Sequence, residues 1–217
     1  MMAKSRLRED VFLWPTPAGA YYAVSEAENT SPRRFLCNLL GSTETPRLTQ
    51  DFLEQIKEGE SLDQTLSLLR RIQSLRWLQG LNAPLSVLDQ PLEDILPELL
   101  AELTEKGKSL LADPQGFYLA SNGFPHETAE ELAALSADVL SLQDRHKGLL
   151  LNNLNLASQA WGVVDASGCS RLGIWPLQVG KHRFALLMTG IPHFNHPNFV
   201  HLVWTLMTRY APSSVLI

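Results

Sequence analysis

"LLADPQGFYLASNG", Leu110–Gly123, decides the fold. Two short apolar runs flank Asp113-Pro114-Gln115-Gly116. Pro fixes φ at the first turn position, Asp accepts turn hydrogen bonds and Gly takes a positive φ, so the stretch predicts a tight β-hairpin. An isolated hairpin is marginal in water and buries its faces by joining a larger sheet. The rest of that sheet has to come from elsewhere in the chain.

Working outward, "LEDILPELLAELTEKG" precedes the hairpin and carries Leu92, Ile95, Leu96, Leu99, Leu100 and Leu103 on one side of a helix. Pro97 predicts a kink, or a helix start, inside it. After the hairpin, "HETAEELAALSADVLSLQDRH" predicts a long helix from about His126, with an acidic first turn that suits the positive end of the helix dipole. Three strands are then expected, in "SQAWGVVDA", "RLGIWPLQV" and "HRFALLMTG", each bounded by glycine or small polar residues. "NFVHLVWTLMTRY" is apolar nearly all round, so it is expected to be buried on more than one side and to form a wall shared with the rest of the chain. The expected fold is α+β: a five-stranded antiparallel sheet with flanking helices, in the order α-β-β-α-β-β-β-α.

That order, with "LADPQGFYLASNG" as first hairpin, "ETAEELAALSADVL" as central helix and "WGVVDASGCSRLGIWPLQVGKHRFALLMT" as three-strand meander, resembles the roadblock family of dynein light-chain-like domains. The resemblance spans about Leu92 to Tyr210. It implies that two copies pair along the central helix, and that the strand after it pairs with its twin into one continuous sheet. Ala133, Ala137, Leu140, Trp161 and Val163 are then the candidate dimer contacts. It also implies a protein partner, a small Ras-like GTPase, bound by a non-enzymatic scaffold or regulator.

The first half is read as a separate small domain, residues 1–85, with residues 86–217 as the second. "NAPLSVLDQP" is the expected linker. "VFLWPTPAGAYYAV" is expected to give two strands around a Pro-Thr-Pro-Ala-Gly turn, because Val, Phe, Trp and Tyr favour strands. Three helices are expected next. The first is "RRFLCNLL", with Ser31-Pro32 as cap and first turn and Gly41 as stop. The second is "LTQDFLEQI", from Thr45 or Thr49 to about Gly59. The third starts at Ser61 and ends at Gly80, with Leu62, Leu66, Leu69, Ile72, Leu75 and Leu78 on one face. Two strands and three helices are similar to a small winged-helix or peptide-recognition domain.

Composition bounds the function. The 217 residues are 45% hydrophobic and 19% charged, with a net charge of −5. Such a chain can bury a core, and it lacks the basic excess of a nucleic-acid binder. The first 85 residues carry ten basic and ten acidic groups, so the net charge lies in the second half. Two distant cysteines, Cys37 and Cys169, are no secreted disulfide framework. The N-terminal stretch lacks a signal-peptide core, and no apolar run reaches membrane-span length. A soluble cytoplasmic protein is expected.

Chemistry-bearing motifs are sparse. No Gly-x-Ser-x-Gly elbow, phosphate-binding loop or dinucleotide glycine fingerprint is present, and "GSTETP" at Gly41 lacks the P-loop lysine. Nothing calls for a catalytic residue, a metal or a cofactor. His193, His196 and His201, with His182 nearby, are interrupted by Pro197 and are read as loop histidines capping the last helix. Asp113 and Asp165 are read as turn acceptors and Cys37 as inert core. Arg70, Arg71 and Arg76 are the candidate nucleic-acid contacts of a DNA-binding alternative, opposed by Glu54, Glu58, Glu60 and Asp63. A ligand sensor is the third class; it would need an apolar cavity behind the meander.

Overall fold

The Leu110–Gly123 stretch forms the expected hairpin in the computed structural model of the chain, which describes residues 11–56 and 61–212. Strands β4 (Ser109–Ala112) and β5 (Tyr118–Asn122) pair antiparallel across the turn. One Asp113 carboxylate oxygen accepts the N–H groups of Gln115 and Phe117, both at 2.9 Å, and Gly116 takes φ +88°. The same device closes a second hairpin, between β6 (Trp161–Val164) and β7 (Ser170–Val179). There Asp165 accepts from Ser167 and Cys169, and Gly168 takes φ +81°. With β8 (His182–Met188) these strands form one antiparallel sheet in the order β5-β4-β8-β7-β6. A two-residue ladder that the sequence did not suggest, β3 (Thr104–Glu105) with β9 (Ile191–Pro192), closes one end.

Helices complete the expected α-β-β-α-β-β-β-α order. Helix α5 (Leu92–Ala101) runs through Pro97 without ending there, and buries Ile95, Leu96, Leu99 and Leu100. Helix α6 (His126–Arg145) covers one face of the sheet, setting Ala129, Ala133 and Leu140 against Leu110, Ala112, Ile174, Ala185 and Leu187. The residues between these along the strands point the other way, as a two-residue period requires. Leu111, Leu177, Val179, Phe184, Leu186 and Met188 meet α5 and the last helix, α7 (Pro197–Tyr210). Helix α7 is buried on several sides, as its all-round apolarity predicts. It packs against α5, β7 and two helices of the first half, and the Trp204 indole bonds the Ser42 carbonyl. Phe199, Leu202, Val203 and Leu206 are fully enclosed, each contributing about 1.5–3 kcal/mol of hydrophobic stabilisation.

The first half departs from expectation at three places. "AYYAV" is not a second strand: β1 (Phe12–Pro15) leads directly into helix α1 (Pro17–Val24). Thr16 caps that helix, its hydroxyl accepting from the Gly19 N–H at 3.2 Å, and Pro17 supplies the preset first turn. This local start, with burial of Ala20, Ala23 and Val24, outweighs the strand preference of Tyr21 and Tyr22. A β-carbon on Gly19 would lie 2.0 Å from the Trp77 carbonyl oxygen, so only glycine lets α1 approach so closely.

Helix α2 (Ser31–Leu40) stops at Gly41, and its cap residue is Thr30 rather than Ser31. Helix α3 (Gln50–Ile56) begins after Thr49, whose hydroxyl accepts from Phe52. The expected stop at Gly59 lies outside the described residues.

Helix α4 (Leu62–Ser74) opens with a reciprocal Ser61–Gln64 capping box. It ends at Ser74, not at Gly80. Arg76 turns the chain at φ +58°, Trp77 stacks on Tyr22 with ring centroids 4.0 Å apart, and Leu78–Leu81 becomes strand β2, paired with β1. Leu75 is 45% exposed, so the apolar period outruns the helix by chance. The winged-helix order, two strands and then three helices, is therefore not present. Among the described residues four helices stand between two strands that pair with each other. The expected linker is stitched to this half: Thr45 and Leu85 exchange bonds, and the Val87 N–H reaches the Thr43 carbonyl.

Candidate self-association surface

Two features of the sheet half face outward without cover. The first is strand β6. It is a border of the sheet, so among the described residues one row of its N–H and C=O groups has no strand beside it. Val163 and Val164, on opposite faces of β6, are 56% and 59% exposed. An open apolar border is a template for pairing, and proteins usually blunt it with charge, proline or a bulge. The irregularity between Val163 and Val164 is the single such device here. Trp161 is half-buried on the α6 side, opposite Ile174.

The second feature is the flank of α6. The helix carries two stripes with the same seven-residue spacing, one mixed and buried, the other apolar. Ala129, Ala133, Ser136, Leu140 and Gln143 face the sheet and are buried. Leu132, Leu135, Val139 and Leu142 form the other. Leu132 and Val139 are half-buried against the cluster that also holds Trp161 and Leu172, whereas Leu135 and Leu142 remain 44% and 37% exposed. The opposite flank, Ala134 and Ala137, lies against Gly116 of the first hairpin. The leucine stripe therefore turns away from that hairpin. Arg183 of β8 fixes the end of the helix, bonding Asp144 and Gln143, each at 2.7 Å. Beyond it, a π-helical turn, Gly148–Asn153, leads to β6 and leaves Leu149, Leu151, Leu154 and Leu156 exposed.

Among the residues expected to make dimer contacts, Ala133 and Leu140 lie in the chain's own core. Ala137 is half-buried beside Gly116, and Trp161 and Val163 sit on the border strand. The exposed leucine stripe went unnoticed in the sequence. Its signal was there, because Leu132, Leu135, Val139 and Leu142 recur at steps of three and four beside an equally regular inward stripe.

The remaining candidates are placed apart from this surface. Arg70 and Arg71 are exposed on α4, and Arg76 lies in the turn after it. Its carbonyl accepts from the Thr16 hydroxyl. The four histidines do not gather at one point, although His193 and His196 share a turn in which the His196 N–H bonds the His193 carbonyl. His196 caps α7 through its Nδ1, His201 lies beside Trp14 and Trp204, and His182 packs on Tyr210. Burial lowers the His201 pKa. Among the described residues no cluster of histidine, cysteine or carboxylate has the makings of a metal site. Burial also pushes the Cys37 thiol up to about 11, against the opposing effect of Arg33. On the face behind the meander Leu177, Val179, Phe184, Leu186 and Met188 are buried in the main core cluster. A cleft of about 500 Å³ lies instead beside the end of α6, lined by Gln143, Lys147, Leu151, Gln178 and Arg183 among others. No described helix is long and apolar enough to cross a membrane.

No family model matches the sequence, and no curated protein matches it. Solved structures similar to it include gliding protein MglB from Thermus thermophilus, 20% identical, covering 57% of this chain and 93% of that one with a TM-score of 0.36. A Roadblock/LC7 domain from Streptomyces avermitilis is 14% identical over 57% and 93%, with a TM-score of 0.33. Myxococcus xanthus MglB is 16% identical over 54% and 92%, also at 0.33.

Proposed function

We propose that this chain is a non-catalytic binding protein that pairs with a second copy through β6 and the outer flank of α6. The composite surface then holds a protein partner. A small Ras-like GTPase is the partner class that the roadblock resemblance implies. The observation that carries the reading is the uncovered β6 border, with Val163 and Val164 exposed. Antiparallel pairing of β6 with its twin satisfies the free backbone groups of both copies at once and gives a two-fold, self-complementary interface. Such a dimer acts by binding one conformation of its partner better than another, which shifts the partner's equilibrium toward it.

Sedimentation at micromolar concentration tests the pairing: a dimer mass is expected, and a monomer there removes the reading. Calorimetric titration of Ras-like GTPases, loaded with GDP or with a GTP analogue, tests the partner class. Preferential binding of one nucleotide state supports it, and equal absence of binding across the set rejects that class.

A further inference from the structure

We infer that the leucine-rich turn after α6 docks the chain on a lipid surface that bears anionic headgroups. This docking does not rest on the self-pairing proposed above. From Gly148 to Ser158 every residue except the half-buried Leu150 is exposed. Leu149, Leu151, Leu154 and Leu156 are each about half exposed. Apolar side chains gathered in the open mark a contact with another protein or with a membrane. The turn is also closed on itself. The Leu150 N–H bonds the His146 carbonyl, the Leu154 N–H that of Leu149 and the Leu156 N–H that of Leu150. Backbone groups satisfied within the segment are what an apolar medium requires.

Two features favour a lipid surface over a protein groove. The first is direction. A groove takes one apolar stripe of a helix. Leu149 and Leu151 stand two positions apart in a helical turn, so they project to nearly opposite sides, and both are exposed. A lipid interface accepts apolar side chains on every side of a turn. The second is charge. The stretch from Arg145 to Val164 holds no aspartate or glutamate, in a chain with 23 acidic residues and a net charge of −5. Arg145, His146 and Lys147 stand exposed at its entrance, and neither Arg145 nor Lys147 makes an ion pair among the described residues. Of the acids beside them, Asp144 is held by Arg183 at 2.7 Å and Glu26 lies 3.7 Å from Arg33, which leaves Glu28 on the cleft wall. Arg145 also suits the negative end of α6, but the acid-free run beyond it does not follow from the helix dipole. Basic groups at headgroup level with leucines beyond them make a peripheral anchor, not a span.

The test pellets the full chain with phosphatidylcholine vesicles, either pure or containing about one third phosphatidylglycerol. The chain is expected to pellet with the anionic vesicles, and several-fold less with the neutral ones. Leu151→Gln combined with Leu154→Gln should lower the affinity for anionic vesicles about tenfold or more, because less apolar surface leaves water. Arg145→Gln combined with Lys147→Gln should lower it about tenfold. All four side chains are exposed, so both variants should unfold in urea as the unaltered chain does. No pelleting with either vesicle overturns the inference, as do leucine variants that pellet unchanged. Equal pelleting with neutral vesicles overturns it as well, because headgroup charge is part of the docking. A leucine variant that still pellets but no longer pairs with a second chain assigns the turn to self-association, and overturns it too. A chain that is monomeric in solution yet pellets with anionic vesicles supports it and removes only the self-pairing reading.

Discussion

The indole N–H of Trp204 donates to the carbonyl of Ser42 at 2.6 Å, tying the last helix to the loop after α2 across 162 positions of sequence. Both residues are buried, and the indole ring lies 4.6 Å from that of Trp14. Trp204→Phe keeps most of the ring but leaves the Ser42 carbonyl without its donor. Urea unfolding is expected to show a loss of about 1–3 kcal/mol, the cost of a buried acceptor left unsatisfied. An unchanged midpoint would mean that another group or water takes the place of the indole.

At the sheet border, Val163→Lys is expected to abolish pairing of two chains while shifting the unfolding free energy by no more than about 0.5 kcal/mol, because the site is exposed in the single chain. Sedimentation reads the pairing, and melting both chains at a dilution where each is monomeric reads the stability of the single chain. A dimer that persists with lysine at this position places the contact elsewhere.

The carboxyl of Asp165 is held below the usual carboxylate range, first by the Cys169 N–H and then by Ser167 and Arg171, which lies 2.8 Å away. A depressed folded-state pKa gives stability that is present above the unfolded value and lost as pH falls through the folded one. Asp165→Asn retains an acceptor oxygen but removes the titration. Denaturant unfolding at pH 7 and at pH 3 should therefore differ less in the Asp165→Asn variant than in the unaltered chain. An equal difference would show that the turn charge is not coupled to folding.

The two cysteines should differ sharply toward a thiol reagent. Cys37 is largely enclosed and its thiol is pushed up to about 11, so almost none is thiolate at pH 8. Cys169 is exposed. One equivalent is expected to react promptly, and the second only after denaturant is added. Two fast equivalents would mean that α2 opens readily.

Gly19→Ala forces a β-carbon against the Trp77 carbonyl and is expected to destabilise the chain by about 1–3 kcal/mol, read as a lowered midpoint in urea. Any smaller change would mean that α1 can shift away from β2 without loss.

The sheet half was legible because its signals are local. Asp113 and Gly116 specify their turn within a few residues, and the flanking apolar runs must then alternate. The first half was less so. Thr16-Pro17 is a helix start as plain as any in the chain, but Tyr21 and Tyr22 argued for a strand, and tertiary burial decided between them. Leu75 and Leu78 continued a helical period past Ser74 although one is exposed and the other pairs in a sheet. On α6, two stripes of equal spacing lie side by side, and spacing alone does not say which one the chain keeps for itself. That depends on where β8 and β7 run, which is a non-local matter.

Helix α7 is gripped by the sheet below and by α1 and α2 above, with aromatic rings wedged along its length. Sliding or rolling that rod would break those contacts on both sides at once. A second molecule paired with the β6 border would therefore carry the first half along through this helix. Two chains joined there would hold their α4 helices apart like the points of a caliper.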